Sequence, residues 1–553
     1  MILTRIARLT LAGLTPLGLL AQEPPKTEDL SRQLQDLKAQ VAALEAKSKE
    51  QEATVTKVES KVAQNAIAWG GDLRTKAEQS SWTFKPYQQF MGFIPNPGPG
   101  PLTGMPMPVT QQVQAQDWNN DAQWSTRLRL RMTIPISEHG KIMGRLTMYK
   151  VHGGADVPVF NGSPNTVNNS FNSGKVPTND ILHVERASFV YDWTNLGVLS
   201  IGRQNTSDGP PLEVREGTER QATPQALAVN ATVDGIGWKF HLDKMGLPEG
   251  SLFGICYGVG YESGFGGGGA VKSNAAVVGM NFSTGSMQVK DIGPLKDSTV
   301  LGAMLDIPFL FEGFGTVHSA NFYLGFNRFG NMTDIPYGSL NNFPVPAMAG
   351  MGGMPGSQYV TATNNLGDMD QWTATFKHKI GDTFTWFASY GHIKSKPNGK
   401  VSQYGAYWDM PPAFGGNGTL LTGFGGLLGD PVNSKTGTAT YLGWRWDPTE
   451  TLGFGVEFNH GSPNWFTYSP ATGESTEKLA TRGDVWEAYL QWQFAKNTSL
   501  RLGYLDTKYS TAFSGWHIAP MPLENFNLDQ NPMMQYAFPS GIKTTYVALE
   551  VKF

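Results

Sequence analysis

The final stretch of the chain, Ile542 to Phe553, alternates strictly. Val547, Leu549, Val551 and Phe553 share one face, while Tyr546, Ala548, Glu550 and Lys552 share the other. A period of two describes a strand with one apolar and one polar side. The same alternation predicts strands near 71–80, 123–136, 141–152, 181–193, 197–204, 233–242, 251–262, 299–310, 316–328, 370–380, 382–393, 438–447, 450–460, 484–495, 498–509 and 542–553. In 251–262, Phe253, Ile255, Tyr257, Val259 and Tyr261 oppose Gly254, Cys256, Gly258 and Gly260. In 484–495, Trp486, Ala488, Leu490, Trp492 and Phe494 oppose Glu487, Tyr489, Gln491 and Gln493.

Connection lengths alternate as well. Short turns fall at Ser137–Gly140, Thr194–Leu196, His241–Gly250, Phe311–Gly315, Gly381, Pro448–Thr449 and Lys496–Asn497. Between them run long segments: 81–122, 153–180, 205–232, 263–298, 329–369, 394–437, 461–483 and 510–541. Barrels that cross a bilayer keep short turns on one rim and long loops on the other. A soluble sandwich has no reason to hold that asymmetry through seven hairpins. The expected fold is all-β: a 16-stranded antiparallel transmembrane β-barrel over 71–553, preceded by a short α-helical coiled coil. AAVVGMNF, within 271–290, is where an added hairpin would enter.

The amino-terminal region has a different period. Residues 1–21 carry Arg5 and Arg8, an apolar run from Leu9 to Leu20, and Ala21, the layout of a secretory signal peptide. A linker follows over 22–29. Leu30, Leu34, Leu37, Val41 and Leu44 then continue through Ser48 and Gln51 to Val55, Val58 and Val62. Alternating spacings of four and three make this a coiled-coil seam over 30–66. Its valines leave two and three strands both open.

Composition narrows the function. Hydrophobic residues are 40% of the chain and mean hydropathy is −0.28. No window approaches the roughly 18 apolar residues of a helical span, which argues against a helical membrane protein but not a barrel. A net charge of −3 gives no reason to expect a nucleic-acid partner. A single cysteine, Cys256, excludes an intrachain disulfide framework and a multi-cysteine metal or haem site. There is no G-x-S-x-G elbow and no P-loop, and His378 and His392 stand apart. The expectation is a non-enzyme with no metal and no cofactor.

GDLRTK at 71–76, HVERASFVYDW followed by VLSIGRQ, DGIGWKF at 234–240 and the terminal YVALEVKF join the leader and the heptads in one pattern. It resembles that of trimeric bacterial outer-membrane porins, and more narrowly the porin-like families with an amino-terminal periplasmic coiled coil. The resemblance implies an outer-membrane barrel, its coiled coil in the periplasm, in a homotrimer that passes small hydrophilic solutes. It also implies that Tyr546, Val547, Leu549, Val551 and Phe553 form the signal read by the outer-membrane assembly machinery. By the same resemblance, the third long segment folds inward as a constriction carrying Asp208, Glu213, Arg215, Glu216, Glu219 and Arg220.

The candidate pore chemistry is basic. Outward Trp124, Thr126, Leu128, Leu130, Met132 and Ile134 leave Arg127, Arg129 and Arg131 inward, about 6.6–6.8 Å apart on one strand. Arg145, Lys239, Lys377, Lys379, Arg445 and Arg501 also read as pore-lining, against Asp306, Glu457, Glu487 and Glu550. Such a wall favours anions modestly, and loop acids opposite the ladder would set up a transverse field. The alternative is a solvated wall whose charges pair with loop acids. Three rival functions stay open: a tether from the outer membrane to peptidoglycan, a sheath around another chain's cytochromes, and a hydrolase assembled at loop bases.

Overall fold

A computed structural model describes residues 67–553 except 96–97, 99–105, 115–116, 153–178, 207, 219, 231, 262–274, 282–285, 292–294, 314, 335–363, 403–405, 409–419, 423–424, 469–477, 519 and 524–538, and before 67 only Lys38, Ala39 and Lys47. The chain divides into two compact units, Met1–Ala66 and Ile67–Phe553. The leader, the linker and the seam residues Leu30, Leu34, Leu37, Val41, Leu44, Val55, Val58 and Val62 lie outside the described residues.

The second unit is a closed barrel of sixteen strands. In chain order they are β1 (Ala68–Phe84), β2 (Trp118–Pro135), β3 (Gly140–Val151), β4 (Asn179–Asp192), β5 (Val198–Asn205), β6 (Thr232–His241), β7 (Leu252–Tyr261) and β8 (Ser298–Gly313). There follow β9 (Thr316–Thr333), β10 (Asn365–Ile380), β11 (Phe384–Pro397), β12 (Thr436–Thr449), β13 (Leu452–Gly461), β14 (Gly483–Ala495), β15 (Thr498–Tyr509) and β16 (Pro539–Lys552). Each strand pairs antiparallel with the next, and β16 closes on β1. Every expected strand is present. AAVVGMNF does form a hairpin, Ala275–Asn281 with Ser286–Asp291, but it is a separate two-stranded sheet, so the wall stays at sixteen.

The carboxy terminus is part of the closure. Gly71 N–H donates to the Phe553 carbonyl at 2.8 Å, and Phe553 N–H returns to the Gly71 carbonyl at 3.1 Å. The Phe553 ring lies over Gly71, where a β-carbon would stand 2.6 Å from Cζ. Glycine is needed there for the ring to fit.

The faces divide as the alternation predicts. Trp124, Ile201, Ile236, Trp486, Val547 and Leu549 are exposed on the outside, an apolar wall suited to lipid. Asp72, Arg74, Lys76, Glu457, Glu487 and Glu550 are buried on the inside.

The long connections fill part of the interior with an apolar core. Leu212, Ala226 and Leu227 from 206–231 join Leu427 and Leu428, Trp465 and Phe466, and Phe513 and Trp516 from three later connections. They pack against Met332, Leu366, Phe387 and Ile393 of the wall. Arg482, wholly buried, ties two connections together. Its guanidinium donates to the carbonyls of Trp465, Ala512, Phe513 and Trp516. Residue types rich in Pro and Gly gave no hint of this core, because its partners are far apart in sequence.

Candidate functional site

The segment between β5 and β6 crosses the lumen. Its helix, α1 (Leu212–Glu216), ends at Gly217 in the left-handed region, φ 60°. Arg445 of β12 donates to the carbonyls of Val214 and Arg215 at 3.3 and 3.2 Å, placing a cation where the helix end has unsatisfied acceptors. A β-carbon at position 217 would lie 2.7 Å from Arg445 Nη1, so glycine is required twice over.

Ion pairs pin this segment to opposite walls. Asp208 accepts from Arg129 at 2.7 Å, on the β2 side. Glu213 accepts from Lys377 at 2.6 Å, on β10. Arg215 meets Glu487 of β14 at 3.3 Å, Glu216 meets Arg501 of β15 at 3.1 Å, and Arg220 meets Asp306 of β8 at 2.6 Å. Asp208, Glu213, Arg215, Glu216 and Arg220 are each anchored in this way to a strand of the wall. Glu219 lies outside the described residues.

The expected charge pattern is not what the structure contains. Arg127, Arg129 and Arg131 share the inner face of β2, but Asp72 on β1 takes Arg127 at 3.0 Å and both oxygens take Arg129 Nε at 2.9 Å. Arg131 lies 4.0 Å from Asp72 and donates to Gln221 at 2.8 Å. Arg145 is held by Glu185 at 2.7 Å. The ladder is largely neutralised by its own wall and by Asp208, while Arg131, 39% exposed, has only the 4.0 Å contact with Asp72 as an ion pair among the described residues. Of the segment's other described acids, Glu213 pairs with Lys377 of β10 and Glu216 with Arg501 of β15, so neither faces the ladder across a gap.

The remaining basic positions are mostly paired too. Arg445 is bound by Asp447 at 2.8 Å, and Lys379 meets Asp382 at 3.1 Å in the exposed turn after β10. Lys478, from the connection after β13, donates to Glu457 and Glu487. Tyr441 and Tyr546 donate to the same two carboxylates at 2.7 Å each. This network and the apolar core occupy the side of the lumen bounded by β9–β16.

Space is left on the other side. A cavity of about 390 Å³ runs between residues 221–229 of the crossing segment and β3–β10. Its wall is bare because Gly235, Gly237, Gly254, Gly258, Gly302 and Gly325 line it. Sequence reading placed Lys239 here, and of the nine basic pore-lining candidates it alone has no ion pair among the described residues. Two cations were missed, Lys141 and Arg186. Arg186 faces inward because of a β-bulge: Arg145 pairs with Arg186, yet Leu146 pairs with Val184. The bulge turns both Glu185 and Arg186 toward the lumen. Its signal was in the sequence, where exposed apolar residues shift from Leu182 and Val184 to Phe189, reversing parity.

The family described as a protein of unknown function (DUF3373) matches residues 117–553. No curated protein matches the chain. Among solved structures, Pseudomonas putida OprB at high pH is similar at 9% identity, covering 90% of this chain and 96% of that one, with a TM-score of 0.42. Salmonella typhi OmpF in complex with daunomycin is similar at 10% identity over 89% and 98%, TM-score 0.40. The outer membrane channel DcaP of Acinetobacter baumannii is similar at 10% identity over 88% and 97%, TM-score 0.35.

Proposed function

We propose that this chain, which belongs to the DUF3373 family, is an outer-membrane channel through which small hydrophilic solutes diffuse passively. The observation that carries the reading is the glycine-walled passage beside the crossing segment. Inward glycines stand at six positions on β6–β9: a β-carbon at Gly237 would meet no atom closer than 3.8 Å, whereas at Gly235, Gly254, Gly258, Gly302 and Gly325 it would stand 2.1–2.9 Å from a neighbour, so those five also serve close packing. They leave room for something to pass. An apolar exterior and the alternation of short and long connections support a bilayer location on the same grounds. The homotrimer, with its seam at Leu30–Val62 in the periplasm, belongs to this reading and rests on the heptads. Modest anion preference belongs to it as well, but its source moves from the paired arginine ladder to Lys239, Arg186 and Lys141.

Conductance of the purified full-length chain in a planar bilayer tests the proposal. A steady open current is expected. Gly237→Trp should reduce it several-fold, since a β-carbon at Gly237 meets no atom closer than 3.8 Å and the indole must enter the passage. An electrically silent native barrel would sink the channel reading. The apolar core at the loop end favours the second reading in that event, a closed barrel that anchors a periplasmic tether.

A further inference from the structure

The described lumen contains two kinds of cation. One kind is locked to carboxylates, as Arg129 is to Asp72, Lys377 to Glu213 and Arg501 to Glu216. Lys239, Arg186 and Lys141 line the open cavity, and none has an ion pair among the described residues. Arg186 gives one donor, Nε, to Ser188 at 3.2 Å. No aspartate or glutamate lines the cavity among the described residues. Strand register places Lys141 and Lys239 toward the short-turn rim, Lys141 opposite Val190 and Lys239 two residues before the end of β6, while Arg186 stands six residues before the end of β4, deeper in the same lining.

The same cavity is unusually apolar for a passage meant only for water. Lys239, Gly254 and Met304 fall in one row across β6, β7 and β8. Met304 leans over Gly254, where a β-carbon would meet its Cγ at 2.9 Å. Met143, Val190 and Val300 add further apolar surface to the lining. A strongly hydrated inorganic ion gains nothing from such contacts. A volume of about 390 Å³ falls within the range of small-molecule sites, roughly 300–1,000 Å³, which pair apolar walls with a few placed polar groups.

We propose that this cavity is a binding site for small organic carboxylates with an apolar body, the carboxylate held by Lys239 and Arg186 and the body lying along Met143, Met304 and Val300. The proposal rests on the channel reading and names its preferred solute class. Lys and Arg supply charge-assisted hydrogen bonds that a neutral analogue cannot accept with equal strength. Apolar walls shield that charge from water and strengthen the attraction. Methionine adapts to bodies of different shape, so the site selects a class rather than one compound.

Cys256, the only cysteine of the chain, lines the cavity and reports on its occupancy. The full-length protein in liposomes is treated with N-ethylmaleimide, and the mass shift is followed over time with hexanoate or hexanamide present. Hexanoate should slow modification about tenfold more than hexanamide at equal concentration, the ratio one charge-assisted hydrogen bond supplies. Lys239→Gln and Arg186→Gln should each remove most of that difference. Equal protection by acid and amide, or protection by neither, overturns the proposal without requiring any variant to fold. Conductance measured on the same preparation separates the two readings. A conducting barrel with no hexanoate effect loses the site and keeps the channel, whereas a silent barrel protected by hexanoate keeps the site and loses the channel.

Discussion

Asp72 accepts from Arg127 and Arg129 while its side chain is only 3% exposed. An isolated charge at that depth is costly, and removing one partner strands the other. Arg129→Gln leaves Asp208 short of a partner as well. It should destabilise the barrel by on the order of 3 kcal/mol, read as a lower temperature for loss of the folded band on gels. Its effect on ion selectivity should be smaller than that of Lys239→Gln, because only the lysine carries charge into the open passage. Reversal potentials across a salt gradient check the comparison. The inward direction of the arginines was legible from the lipid-facing leucines beside them. Their neutralisation was not, since Asp72 sits 57 residues from Arg129 in a strand whose alternation is weak.

At the scale of the strand, β16 links residue pattern to barrel closure. Val547 is exposed at 41% on the lipid side, and Ala548 is 4% exposed on the inner side. Val547→Asp puts a carboxylate into hydrocarbon at a cost on the order of 2 kcal/mol at mid-depth, so folded protein in the membrane should fall. Ala548 does not face open water as the alternation alone suggested. It lies opposite Lys76 on β1 and Arg501 on β15. Ala548→Asp therefore gains cationic neighbours and should insert at close to native levels, quantified in the same membrane fraction. Deleting Phe553 removes both backbone bonds to Gly71 and the ring packed on it. The deletion should lower membrane levels more than Ala548→Asp does, independently of any signal the assembly machinery reads.

Over the whole molecule, the loop-end core decides how much of the barrel is open. His517 is buried within it, between Arg482 and the Phe466 ring, and its Nε2 donates to the Thr333 carbonyl. Burial, with Arg482 beside it, pushes the imidazole down from 6.5 to about 4. A histidine with a lowered folded pKa binds more protons when its surroundings come apart. The core is thus fully stable above about pH 6.5, and stability is lost as pH falls toward 4, by on the order of 3 kcal/mol in all. Conductance should rise, or become noisier, between pH 6 and pH 4.5. His517→Phe should flatten that dependence; an identical pH profile in the variant would remove His517 as its cause.

The sequence by itself determined the wall: sixteen strands, their order, the rim that bears long connections, and, outside the β4 bulge, the face each side chain takes. These follow from a period of two and from lipid on one side, both local constraints that every strand states for itself. Tertiary structure decided what fills the wall. Whether Arg129 is free or paired depends on Asp72 and Asp208, and the packing around Trp465 depends on connections hundreds of residues apart. Lys239 was legible because its strand keeps parity, while Arg186 was lost to a bulge that reverses it. Long-range pairing of charges and loops carries no periodic signal, and so the cavity beside the crossing segment became visible only once the barrel was closed.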